Sequence, residues 1–119
     1  RNPDNRKLAT QYPENLPAAM ENLRRVWAAG IDVVTGSDAG NPLVFHGPTV
    51  QTELELWVKA GIPPEKAIEA ATRTAARLLG QGSRIGTIEV GKQANLLLVD
   101  GNPLEDITAL RRISLVVFK

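Results

Sequence analysis

The sequence predicts an α/β chain followed by a β-rich tail. Three observations carry this reading. Helical apolar spacing brackets a short run of β-branched residues. A glycine-rich loop, VVTGSDAGNPLVFHGP, follows that run. From Gln81 onward the pattern changes to short apolar runs punctuated by glycine. A helix, a short apolar strand, a glycine-rich loop and another helix is the order of α/β folds.

The elements follow in chain order. Residues 1 to 15 are polar, carry two prolines and show no periodicity, so they read as an extended lead-in. From Leu16 the pattern becomes helical: Leu16, Met20, Leu23 and Trp27 share one face. Pro17 suits the first helical turn, and Gly30 is a helix stop. Ile31, Val33 and Val34 are apolar on both parities, as in a parallel strand covered by helices on both faces. Val50, Leu54, Trp57 and Val58 mark the next helix, closed by Gly61, with Glu55 and Lys59 placed as a favourable i, i+4 pair. IPPEKAIEAATRTAARLLG opens a third helical stretch, with Pro64 and Glu65 in its first turn and Gly80 at its end. Thr72 is placed to recap that helix midway, so a break is expected there.

The tail carries expected strands at Ile85–Ile88 and Asn95–Val99, with Gly91 in the turn between them. Asp100, Gly101, Asn102 and Pro103 make a further turn. Leu104 to Leu110 reads as a short helix, and ISLVVFK as a last strand. A boundary near residue 81 separates the two parts.

Composition narrows function. The 119 residues suffice for one domain, able to bury roughly two-thirds of its unfolded surface. Fourteen basic and thirteen acidic residues are interspersed, giving a net charge of +1, which offers no basic face for nucleic acid. There is no cysteine, so disulfides and thiolate chemistry are excluded. Apolar runs stop at about five residues, against roughly twenty for a membrane span. The first residues lack the apolar core of a signal peptide. An arginine start fits a processed, partial or trimmed chain. The compartment stays open, with the cytoplasm as the default.

Two residues are candidates for chemistry. Parity places Val34, Gly36 and Asp38 on one face of the strand, with Asp38 at its carboxyl end, where ligands and catalytic groups collect in barrels and open α/β sheets. A carboxylate there can ligate a divalent metal, accept a proton, or both. The alternative is a turn aspartate whose oxygens bond neighbouring backbone N–H groups. His46, the single histidine, is either a substrate contact above the strand end or a loop residue bonded to backbone. GQGSRIG precedes a β run instead of opening a helix, which removes the dinucleotide reading. Ser37 and Ser83 lack a neighbouring base. Trp27 and Trp57 fit helix faces as packing residues, and Arg111 and Arg112 read as a solvated pair.

TGSDAG, FHGPTVQTELELWVKAGIPPEKAIEAATRTAARLLG and RIGTIEVGKQANLLLVD, in that order, resemble the carboxyl-terminal part of the amidohydrolase superfamily. The likeness is to its imidazolonepropionase-like branch, which includes metal-dependent Xaa-Pro and Xaa-Arg dipeptidases, and runs from about Leu16 to the end. The resemblance implies a (β/α)8 TIM-like barrel with a small composite β-sandwich. Residues 1–81 would be the carboxyl-terminal part of the barrel, with 31–38 its eighth strand, and 82–119 would be part of the sandwich. Asp38 matches the family's strand-eight aspartate, a metal ligand that takes the proton of the attacking water. His46 falls where substrate contacts are common. Asn95 replaces a usual aspartate, a change expected to be structural.

The family's other ligands, a His-x-His pair, a lysine or glutamate and two further histidines, have no counterpart in these residues. One histidine and one candidate aspartate fall short of the three protein ligands of a catalytic zinc. The expectation is therefore a hydrolase of C–N bonds in amides, dipeptides or cyclic imides, using one or two Zn2+ ions, of which this chain alone is inactive. No nucleic-acid or membrane partner is expected. The strand edges and apolar faces should require the amino-terminal barrel portion or self-association. A non-catalytic binding or dimerisation module, and one half of a split enzyme, are the competing readings.

Overall fold

The computed structural model describes residues 3–41 and 46–118, with backbone alone for residues 3–14. Arg1, Asn2, residues 42–45 and Lys119 lie outside the described residues. Helix α1 (Pro3–Ala28) begins far earlier than the apolar spacing suggests. Residues 3–15 are helical, not extended, and Pro17 lies mid-helix. The lead-in lacks an apolar stripe, but Arg6, Lys7, Leu8, Ala9 and Gln11 are all strong helix formers, and Pro3 suits a first helical position. α1 stops at Gly30, whose φ of +74° is the left-handed conformation open to glycine.

Residues 31–38 form no hydrogen-bonded strand among the described residues, contrary to the expected strand. A parallel strand exists only through neighbours on its edges. The described residues hold one sheet, and it is an antiparallel pair elsewhere in the chain. The segment is nevertheless fixed to the body, since Val33 packs against the core.

Helix α2 (Thr49–Lys59) buries Leu54 and Trp57. Ile62 follows, 1% exposed. Helix α3 (Pro64–Ala71) starts with Pro64 at its first position and buries Ala67 and Ala70. Thr72 breaks the stretch as expected, and helix α4 (Arg73–Leu78) continues beyond it. The mechanism differs from a recap. The Thr72 hydroxyl donates to the Ile68 carbonyl at 2.7 Å, and no side-chain cap forms at the start of α4. Leu54, Trp57, Ile62, Ala67, Ala70 and Ile107 make one apolar cluster.

Ile107 comes from a 3₁₀ helix (Ile107–Arg111) in the segment where a short helix was expected. Asp106 caps it, accepting the Thr108 N–H at 3.0 Å. This helix packs on α2, and its seam is polar at one edge. Arg111 Nε donates to Glu55 Oε1 at 2.6 Å, and Arg111 Nη2 to Thr52 Oγ1 at 2.9 Å. Glu55 is thus paired with Arg111, not with Lys59. Arg111 and Arg112 are both exposed, as the solvated-pair reading expects, but each also has a tertiary partner: Arg112 Nε donates to the Asp100 carbonyl at 2.8 Å. Tertiary partners hold these groups in fixed geometry.

Strand β1 (Leu96–Val99) pairs antiparallel with strand β2 (Ile113–Val117), with Leu96 opposite Val117 and a register shift between Leu98 and Val99. Ile85–Ile88 is not a strand. Gly86 instead lies on α4, so close that a Cβ would sit 2.6 Å from that of Ala76. The two-stranded ribbon is apolar on both parities, and both faces are open: Leu97, Leu98, Leu115 and Val116 are exposed, and Phe118 just beyond is 83% exposed. Leu16, Val26 and Trp27 of α1 are also exposed. No helix among the described residues is long and apolar enough to cross a membrane.

Candidate active site

Asp38 ends the 31–38 segment with a φ of +49°, and among the described residues it alone has a positive φ without being glycine. Aspartate tolerates this left-handed region better than most residues. The turn is tied through the Asp38 backbone: its carbonyl accepts from the Asn41 N–H at 3.4 Å and from Asn41 Nδ2 at 3.2 Å. Asp38 itself is exposed at the tip.

His46 lies in the turn before α2 and is exposed. Its ring returns to the same tip. A Cβ on Gly40 would sit 3.6 Å from His46 Nε2. Gly40, with a φ of +106°, provides both the turn and the room. The structure thus places the imidazole over the residue two beyond Asp38.

Sequence reasoning missed Glu53. Its Oε1 accepts the Gly36 N–H at 3.0 Å across 17 residues of sequence, joining α2 to the backbone just before Asp38. Its Oε2 is buried and has no hydrogen-bond partner among the described residues, and the same holds for Gln51 Oε1. The signal was present: Glu53 sits between Val50, Leu54 and Trp57 on the inner face of α2, a place where a carboxylate is costly without a use.

A cleft lined by Trp27, Ile31, Trp57, Lys66 and Thr74 opens at the opposite end of the 31–38 segment. There Asp32 pairs with Arg77. This is the amino-terminal end of the segment, and Asp38 lies at the other.

Residues 6–119 match the model of the amidohydrolase family. The chain belongs to that family. Among curated relatives of this amidohydrolase chain, the imidazolonepropionase of Syntrophobacter fumaroxidans is 36% identical over 94 residues, covering 72% of this chain and 22% of the relative. A 5-methylthioadenosine/S-adenosylhomocysteine deaminase of Moorella thermoacetica is 32% identical over 92 residues, covering 71% and 22%. Among solved structures, a Xaa-Pro dipeptidase with bound methionine in its active site superposes with a TM-score of 0.79 at 36% identity, over 86% of this chain and 24% of that one. The chain therefore spans about a quarter or less of the length of these relatives. Members of the family are generally metal-dependent. Among the described residues no group of three His, Cys, Asp or Glu side chains could hold a metal ion. Asp38 offers one donor, and a complete metal site is not formed within these residues.

Proposed function

We propose that this chain supplies the carboxyl-terminal part of a metal-dependent amidohydrolase that cleaves a C–N bond in an amide, a dipeptide or a cyclic imide. In this reading residues 31–38 are the eighth strand of a (β/α)8 barrel, α1 to α4 belong to its last units, and 82–119 join a composite β-sandwich. The carrying observation is the tip itself. In a chain matched to the family over 6–119, Asp38 stands exposed on a left-handed turn held through its carbonyl, which leaves the carboxylate available.

The residues then have distinct tasks. The Asp38 carboxylate accepts a proton from the attacking water and returns it to the departing nitrogen, a general-acid/base role worth about 10²–10⁴-fold in rate. Asp38 would be one protein ligand of a metal, which we assign as zinc, with the others coming from outside the described residues; once held there, it would supply Lewis acidity at the scissile carbonyl and acidify the water. His46, over Gly40, contacts substrate at the rim. Gly36 and Gly40 keep the approach to Asp38 open.

The test uses the complete protein that carries this chain. With Xaa-Pro dipeptides and an imidazolone as probes, hydrolysis should require metal and stop on chelation. Asp38→Asn, which keeps the left-handed backbone, should retain the fold and lower kcat at least 100-fold. Metal-independent hydrolysis, or an Asp38→Asn variant with wild-type kcat, would overturn the proposal.

A further inference from the structure

We infer that Glu53 is a positioning residue for Asp38, acting through the backbone at Gly36. The catalytic side of this inference rests on the proposed amidohydrolase reading; the geometric side does not.

The 31–38 segment carries no ladder bonds among the described residues, yet its end must hold a carboxylate in one place. Glu53 gives it a fixed point. The 3.0 Å bond from the Gly36 N–H to Glu53 Oε1 locks the backbone two residues before Asp38 onto a helix. That helix is itself anchored by Leu54, the next residue and 4% exposed, and by Trp57, one turn on and 6% exposed. Gly36 does not owe its place to crowding, since a Cβ there would meet nothing within 4 Å. Its amide, not its missing side chain, is what the neighbouring helix uses.

The acceptor is a carboxylate where an amide or a backbone carbonyl would satisfy one N–H, and at 3.0 Å the bond has the ordinary length of an N–H···O hydrogen bond. The buried, unpartnered Oε2 is the cost of that choice. A buried unpartnered oxygen calls for a reason, and a functional role is one of them. Displacement of a reacting group by about 1 Å can lower a rate about 100-fold. The segment from Gly36 to Asp38 is short enough to pass a shift of that size directly to the carboxylate.

The experiment compares Glu53→Ala and Glu53→Gln in the complete protein, reading steady-state kinetics and hydrogen exchange of the 31–41 segment. The expected result for Glu53→Ala is a 10- to 100-fold lower kcat, KM within about threefold, unchanged metal content and faster exchange at the Gly36 amide. Glu53→Gln, which keeps an acceptor for that amide, should restore kcat to within about fivefold of wild type and restore protection. Should Glu53→Ala fail to fold, Glu53→Met keeps the volume and is read in its place. Wild-type kcat in Glu53→Ala, a loss confined to KM, or equal damage in the alanine and glutamine variants would each overturn the inference. If the wild-type protein shows no metal-dependent hydrolysis, the amidohydrolase reading fails by itself. The exchange data then decide the anchor: loss of protection in Glu53→Ala alone supports it, and equal exchange in all three proteins overturns it.

Discussion

Gly86 is the position where a single methyl group should do most damage outside the candidate site. Its φ is +96°, a conformation that residues with a Cβ rarely adopt. A Cβ built there would lie 2.6 Å from Ala76 Cβ, 3.1 Å from the Thr72 carbonyl oxygen and 3.2 Å from Arg73 Cα. None of these atoms ends a flexible side chain; all belong to the break between α3 and α4 or to α4 itself. Two costs therefore combine in Gly86→Ala. Backbone strain contributes about 1–3 kcal/mol. Overpacking against a helix contributes about 1–3 kcal/mol more. Partial retreat of α4 should leave a net loss of about 3 kcal/mol. With a urea m-value of about 2 kcal/mol/M for a small domain, the unfolding midpoint should fall by about 1.5 M, followed by far-UV circular dichroism. A double-mutant cycle separates the two costs. Ala76→Gly alone should lose about 1 kcal/mol of helix propensity. Combined with Gly86→Ala it removes the 2.6 Å contact but not the strain, so the pair should be less damaging than the sum of the singles by at least about 1 kcal/mol. A midpoint unchanged in Gly86→Ala, or strictly additive singles, would refute the close-docking argument.

Two further outcomes follow from the fold. Ile62 is 1% exposed in the main cluster, so Ile62→Ala should cost about 2–5 kcal/mol and Ile62→Val about 0.5–1.5 kcal/mol in the same unfolding assay; equal effects of the two would contradict its place in the core. The Asp106 carboxylate is held below the ordinary carboxylate range by the Thr108 hydroxyl and N–H, with further help from Arg112. A depressed folded-state pKa gives stability that is present above the unfolded value of about 3.9 and is lost as pH falls through the folded value. Below about pH 4 the wild-type protein should therefore lose urea resistance more steeply than Asp106→Asn, and parallel pH profiles would exclude this contribution.

Local patterns were legible in the sequence where one segment decides its own structure. The apolar spacing of Val50, Leu54 and Trp57, the prolines before α3 and the glycines at 61 and 80 locate α2 to α4. The break at Thr72 was legible too, but its cause was not, because the hydroxyl turns back to Ile68 instead of forward to a free N–H. Other features depend on partners remote in sequence. Arg111 meets Glu55 across 56 residues, so neither the Glu55–Lys59 spacing nor the Arg-Arg doublet could reveal the pairing. Residues 85–88 have strand-like composition, but Gly86 lets them dock on α4. The second half of α1 was legible from Leu16 onward, but its first half was missed because propensity without an apolar stripe leaves no periodic mark. At the candidate site, Asp38 was visible from its position after an apolar run. Glu53 was visible only as a carboxylate set among the apolar positions of α2; its partner is a backbone N–H, which no side-chain pattern encodes.

The left-handed turn at Asp38 also limits which replacements this position can pass through. Two filters act on one residue. The proposed chemistry admits aspartate or glutamate, whereas a φ of +49° favours glycine, asparagine or aspartate. Only aspartate satisfies both. Glutamate, the usual conservative neighbour, keeps the charge but meets the wrong backbone, and asparagine keeps the backbone but drops the charge. Sequence drift at this site thus has no neutral intermediate: any lineage leaving aspartate must give up either the fold of the tip or its chemistry at the first step.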